Sequence, residues 1–423
     1  MSRVDARGCA ITGATPAGLA AYEQGVQRFL GWRVGVDEAM ARALQHAPRF
    51  VMAHVLQAWL LACSRDPRQV RRALPVLARA ETLPSNERER QHLGAIAAVL
   101  SDDYEAARSR LGHLLREHPR DLLALHAAHA FDHVVGDTAT MRDRVQAVLP
   151  HWPRALPGCH AVLAMHAFGL EECGDYVGAE AAARAALELD PSDARAHHSM
   201  AHVFEMTNRP QDGLRWMQAN RDAWATGTVV ATHGWWHTAL FHLAQGDGRA
   251  ALAVYDAFIF VPGTRAVGDL IDAAALLWRI ALAGGDVGYA RWRALADAWS
   301  PHIDDGFCSF NDLHAMLAFV GASDELLARA MEEFLTQAQA RQTRHGLSTR
   351  EMGLPACRAL MAFGRGHDTL AITLLASLPG TVPRLGGSHA QRDLLRLTLR
   401  KAVGRVLRPS RGERDALREA QDA

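Results

Sequence analysis

The chain has only six cysteines among 423 residues (Cys9, Cys63, Cys159, Cys173, Cys308 and Cys357), and none forms a C-x-x-C pair. That spacing argues against a disulfide framework and a zinc knuckle, and it suits a reducing, cytoplasmic setting. Strand signals are also scarce, because Val, Ile and Thr rarely alternate with polar residues. No run of about 18 apolar residues occurs, so no membrane-spanning helix is expected. The opening M-S-R-V-D-A-R-G-C-A-I-T-G has no continuous apolar stretch behind its basic residues, so a secretory signal is not expected either. Net charge is missing as well: 46 Lys and Arg balance 46 Asp and Glu. Bulk electrostatics therefore gives no drive toward nucleic acid or an anionic membrane. The arginine-rich stretch 392–418 reads as a helix end of mixed charge. G-x-S-x-G, a P-loop and G-x-G-x-x-G after a strand are all absent, which leaves nucleophile-elbow chemistry and nucleotide binding without support.

What remains is helix. Ala, Leu, Arg and Glu recur at helical spacing, and hydrophobic residues make up 49% of the chain, the value of a globular protein. A chain this long exceeds one ordinary core, but a repeat array escapes that limit because its core grows along an axis. From Glu87 a periodic pattern begins. Tyr104, Ala107 and Pro119 follow the turn at Asp102-Asp103, and Tyr176, Ala179 and Pro191 follow the turn at Gly174-Asp175 at the same intervals. That is the second half of a tetratricopeptide unit, in which small residues admit close helix approach and proline ends the second helix. Weaker copies start at Gly246-Asp247, Gly285-Asp286 and Gly366-His367-Asp368, giving roughly six or seven hairpins. The proline-rich 149–158 reads as an ordered connector. The expected fold is an all-α, tetratricopeptide-repeat-like α-solenoid, a superhelix of helical hairpins. Its expected parts are an N-terminal helical cap (1–86), the hairpins (87–380), and a C-terminal loop with a capping helix (381–423).

Most of the chain resembles the tetratricopeptide repeat protein 38 family. The resemblance rests on F-V-M-A-H (Phe50 to His54), Q-H-L at His92, M-R-D-R-V-Q-A-V-L-P-H-W (Met141 to Trp152) and H-S-M-A-H-V-F-E-M (His198 to Met206). It continues through H-G-W-W-H with A-L-x-H (His233 to His242), D-L-I-D with L-L-W-R (Asp269 to Arg279), R-W (Arg291, Trp292) and F-N-D-L-H (Phe310 to His314). G-L-P-A-C (Gly353 to Cys357) and G-G-S-H-A-Q-R-D (Gly386 to Asp393) complete it. The resemblance implies the fold and carries no assigned reaction. The sequence departs from the family pattern where C-H-N-x-W-H would be expected: it has T-H-G-W-W-H, with Thr232 and Gly234. A thiol nucleophile or an essential amide is therefore not carried over to those positions.

Twenty-two histidines are the compositional oddity. Residues i and i+4 share a helix face, so His198 pairs with His202, and His233 with His237. First helices of tetratricopeptide hairpins line a concave groove, and by that register we expect a ligand face there. Its residues are His126, His129, His198, His202, Glu205, His233, Trp236, His237, Asp272, Asn311 and His314, with His92 on its wall. Three readings stay open. The first is a groove for a peptide or protein partner, or a small-molecule ligand, shaped by hydrogen-bonded His and Trp. The second is a divalent transition metal on His198, His202, His233 and His237, with Glu205 beside them. The third is an acid/base enzyme in which Glu205, Asp272 or Asp312 orients a histidine. At G-G-S-H, Ser388 is expected to cap the last helix, the alternative being an anion cradle.

Overall fold

Proline or aspartate at helix starts and left-handed turn residues at helix ends cut this alanine- and leucine-rich chain into short antiparallel helices. The computed structural model describes residues 3–64, 66–378 and 382–407. These residues are all-α apart from a two-residue ribbon, β1 (Arg3–Val4) against β2 (Ala10–Ile11), and an isolated bridge between Arg33 and Thr228. They divide into two compact units. The first runs to Asp272 and includes Gly386–Ala390; the second comprises Ala273–Leu385 and the residues from Gln391 onward.

In the first unit, α1 (Pro16–Leu30) pairs with α2 (Val36–His46), and α3 (Val51–Ala62) with α4 (Pro67–Glu81). The expected cap is thus itself two helical hairpins. Next come α5 (Glu87–Leu100) with α6 (Tyr104–Glu117), α7 (Leu122–Val134) with α8 (Thr138–Val148), and α9 (Cys159–Glu172) with α10 (Tyr176–Leu189). Then α11 (Ala194–Met206) packs on α12 (Pro210–Ala219) and the short α13 (Arg221–Ala225). Finally α14 (Ala231–Ala244) pairs with α15 (Gly248–Val254), which runs into a π-helical turn, Tyr255–Ile259. The connector at 149–158 is ordered as expected: Leu149–His151 form a 3-10 turn and the Trp152 indole donates to the Pro119 carbonyl at 2.9 Å.

One turn recurs. Asp102, Gly136, Gly174, Asn208 and Gly246 have φ of 60°, 73°, 83°, 55° and 80°, the left-handed conformation that ends a helix. The next residue's N–H reaches back five residues: Asp103 to Ala98, Asp137 to Asp132, Asp175 to Leu170, Arg209 to Phe204 and Asp247 to His242, each at 2.8–3.0 Å. Asp103, Asp137, Asp175 and Asp247 then cap the following helix through side-chain bonds to its backbone. Of these five turns, the sequence reading marks those at Asp102-Asp103, Gly174-Asp175 and Gly246-Asp247 and misses those at Gly136 and Asn208.

The second unit takes over α16 (Val267–Leu282) from Ala273. It adds α17 (Tyr289–Trp299), α18 (Ser309–Gly321), α19 (Glu325–Ala338), α20 (Arg344–Ser348) and a π-helical turn, Thr349–Gly353. It ends with the hairpin α21 (Leu354–Gly364) and α22 (Asp368–Ala376), and with α23 (His389–Val406) from Gln391 on. α18 is the hub, packing on α17, α19 and α21, and every residue from Ser309 to Phe319 is buried. The same turn reappears at Gly284, Ser323 and Gly366, with φ of 91°, 54° and 75°. At the second weak repeat copy, the left-handed residue is therefore Gly284 and not Gly285. The end of the expected C-terminal segment, and with it four of its nine arginines, lies outside the described residues.

Many histidines fasten one hairpin to the next. His92 on α5 bonds Asp121, the N-cap of α7, at 2.9 Å, and His160 on α9 bonds Asp193, the N-cap of α11, at 2.7 Å. Arg88 joins Asp121 at 2.5 Å. Burial alone would raise that carboxyl, but His92 and Arg88 outweigh it and hold Asp121 far below the usual carboxylate range. His54 and His197 each donate to a carbonyl six residues earlier, Pro48 and Pro191. Imidazoles with such partners are structural, and they account for part of the histidine excess.

Candidate metal centre

Two helical pairs of imidazoles meet inside the first unit. α11 presents His198 and His202 on one face, and α14, which packs on it, presents His233 and His237. Their ring centroids lie between 4.4 and 5.4 Å apart. One ligand atom from each falls within 4.8 Å of all the others. His198 Nε2 is 3.0 Å from His202 Nε2 and 3.1 Å from His233 Nε2. Nitrogens held 2.0–2.1 Å from a tetrahedral ion would stand about 3.3 Å apart, so these two contacts need to open by only a few tenths of an ångström, while any pair near the 4.8 Å limit would have to close.

Carboxylates stand behind three of the four rings. His233 Nδ1 donates to Asp272 at 2.9 Å, His237 Nδ1 donates to Glu205 Oε2 at 3.2 Å, and His202 Nδ1 faces Glu171 Oε2 at 3.6 Å. Metal-binding histidines are oriented this way, one nitrogen on a carboxylate and the other turned to the ion. α9, α11, α14 and the start of α16 each supply part of the arrangement. His202 and His237 are fully buried, whereas His198 and His233 are half-buried, giving the centre a side toward solvent. His233 stacks on Trp236 at 5.2 Å with an interplanar angle of 11°. Burial, reinforced by His202, His233, His237 and Arg195, holds His198 well below its ordinary pKa.

Proton bookkeeping among the three close nitrogens is awkward without an ion. A neutral His233 that gives its Nδ1 proton to Asp272 offers only a lone pair at Nε2. His198 Nε2 then supplies the one proton of that contact and has no lone pair left for His202. A single proton is asked to serve two contacts unless a further proton enters the cluster, and at His198 burial opposes that. A divalent cation accepting the lone pairs removes the conflict, and imidazole donors suit zinc, copper, iron or nickel. A second grouping, Glu171, Glu172 and His202, also lies within 4.8 Å and shares His202. There Glu172 accepts the backbone N–H of His389, the first residue of α23, at 2.8 Å.

No known protein-family model matches the chain. The site rests on its own geometry.

The expected ligand face separates into parts. His198, His202, His233, His237, Glu205 and Asp272 come together. Trp236, expected at a ligand face, is completely buried and serves as the stacking support of His233. His126 and His129 lie deeper: His126 is 3.1 Å from Arg195 Nη2, and His129 Nε2 donates to the Met165 carbonyl at 3.1 Å. Burial drives His126 well below its ordinary pKa and His129 down to about 3, so both are neutral. Asn311 and His314 belong to the second unit, where Asn311 accepts from Cys308 Sγ and His314 Nδ1 donates to the Phe310 carbonyl at 2.7 Å. Asp312 bonds His345 at 2.7 Å. His92 is wholly buried between Trp59 and Asp121. Thr232 hydrogen-bonds Asp269, and Gly234 lies against the Trp224 ring, where a Cβ would come within 2.3 Å of the indole. Glu171, Arg195 and Trp32 escaped the sequence reading, because burial of a lone Glu, Arg or Trp leaves no mark in local spacing.

Proposed function

We propose that this chain is a metal-dependent enzyme of the tetratricopeptide type, with a divalent transition metal held by His198, His202, His233 and His237. The resemblance to the tetratricopeptide repeat protein 38 family and a cytoplasmic setting are part of the same reading. One observation carries it: four imidazoles from two helices converge, with carboxylates behind three of them. In that reading Asp272 and Glu205 fix ring orientation and raise ligand basicity, and Glu171 is placed to do the same for His202. Half-buried His198 and His233 mark the side from which a small molecule would arrive. A metal bound there would supply Lewis acidity to an oxygen of that molecule only with a coordination position open, so the ion would be five-coordinate or held by three of the four imidazoles while the molecule is bound. The peptide-groove reading asks for free side chains along a surface, and His92, His126, His129, Trp236 and His314 are buried in packing contacts instead.

Metal analysis of the purified chain, with titration of zinc, iron, manganese, nickel and copper into chelator-treated protein, tests the proposal. The expected result is one tightly bound ion per chain, lost in His202→Ala and in His237→Ala while the helical circular dichroism persists. A wild-type chain that takes up none of these ions stoichiometrically would overturn it.

A further inference from the structure

One turn of α11 before His198 stands a cation with no counter-ion. Arg195 is 5% exposed, and no carboxylate oxygen of the described residues lies within 4.0 Å of its guanidinium. Asp193, its nearest acid in sequence, is engaged elsewhere. It caps α11 through the backbone N–H groups of Arg195 and Ala196 and receives His160. The guanidinium instead lies 4.2 Å from the centroid of the Trp32 ring and sends Nη2 to His126 Nδ1 at 3.1 Å, while its Nε–H finds no acceptor. Burial draws Arg195 down to about 10, still cationic at neutral pH. A buried charge without a direct ion pair is costly, and the more distant Asp193 charge, a π face and one neutral imidazole offset only part of that.

The same indole joins this cation to the histidine cluster. Trp32 also meets His198 edge-on, with centroids 5.3 Å apart. It is half-buried and has φ of 56°, a left-handed conformation unfavourable for a bulky residue. Neighbouring backbone holds it there: Val229 N–H donates to the Trp32 carbonyl at 2.9 Å, and Arg33 reaches the carbonyls of Ser192, Ala223 and Thr226.

We infer that Arg195 is the anchor for the carboxylate of a small monocarboxylate substrate whose reacting end lies at the His198 side of the four-histidine cluster. This rests on the metal-enzyme reading for the reaction, but the anion site stands on Arg195 itself. A guanidinium matches a carboxylate geometrically, through two parallel N–H donors. Charge selects the class. Arg195 supplies one positive charge and His126 is neutral, so a monoanion is compensated, whereas a phosphate dianion would bury one excess negative charge. Trp32 gives such a ligand an apolar wall between its carboxylate and His198.

Tryptophan fluorescence titrations with sodium acetate, sodium butyrate and inorganic phosphate, at constant ionic strength and pH 7.5, test this on chelator-stripped wild type and on His202→Ala. Saturable carboxylate binding is expected in both, with affinity at least tenfold weaker in Arg195→Gln and phosphate at least tenfold weaker than acetate. Arg195→Lys, which keeps the charge but loses the planar fork, is expected to weaken acetate as well and serves if the glutamine variant does not fold. Equal affinity in these Arg195 variants, phosphate binding as tight as acetate, or carboxylate binding abolished by chelation would overturn the inference. Carboxylate binding by a wild-type chain that takes up none of the metal ions offered would sink the metal reading alone.

Discussion

Acid should weaken the second unit through His314, and the size of the effect follows from its surroundings. The ring is completely buried on α18, Nδ1 donates to the Phe310 carbonyl, and Nε2 has no partner among the described residues. Burial lowers its pKa from 6.5 to about 4, with Arg279 adding to the shift. Its folded pKa lies below the unfolded value, so the unfolded chain takes up the proton first as pH falls. The stability at stake is therefore present above pH ~6.5 and is lost progressively down to pH ~4. That displacement corresponds to about 3 kcal/mol in total, of which about 2 kcal/mol is gone at pH 5. His314→Leu keeps an apolar side chain and removes the titration. Urea unfolding followed by circular dichroism at pH 7.5 and pH 5.0 compares the two chains. Wild type should lose about 2 kcal/mol more than the variant over that interval. Equal losses would refute the reasoning and would put His314 in contact with solvent or with a counter-ion.

Other outcomes follow from the same contacts. Asp272→Asn should leave the fold intact and weaken metal affinity about 10- to 100-fold, read by competition with a chromophoric chelator; unchanged affinity would remove Asp272 from its orienting role. Gly234→Ala places a Cβ within 2.3 Å of Trp224 and should cost about 1–3 kcal/mol by thermal melting, an unchanged melting temperature counting against that packing. Asp121→Asn strips a buried carboxylate from Arg88 and His92 and should cost about 3–5 kcal/mol. Asp103→Ala, which removes a helix cap alone, should cost about 1 kcal/mol, and equal losses at the two positions would mean the Asp121 ion pairs contribute nothing.

The fold was legible where local chemistry repeats. Gly174-Asp175 and Gly246-Asp247 announce a turn, because glycine accepts positive φ and aspartate caps the next helix. Asn208 and Ser323 make the same turn without glycine, and there no copy was read. The histidine pairs were legible because 3.6 residues per turn puts i and i+4 together. That α11 lays its pair against that of α14 is a tertiary fact, and spacing alone left metal, acid/base and packing readings open. Helical register named too many ligands: His126, His129, Asn311 and His314 share the right kind of position, yet each is bound into its own surroundings. Arg195 was invisible for the opposite reason. A charged residue near a helix start reads as solvated until burial is known.

The four imidazoles and their carboxylates are drawn from elements spread between Glu171 and Asp272. An ion seated among them would act as a clasp on that stretch and leave the hairpins α3 to α6 untouched. Stripping it should speed amide exchange in α9, α11 and α14 first, so local opening there would report the ion before any melting curve did.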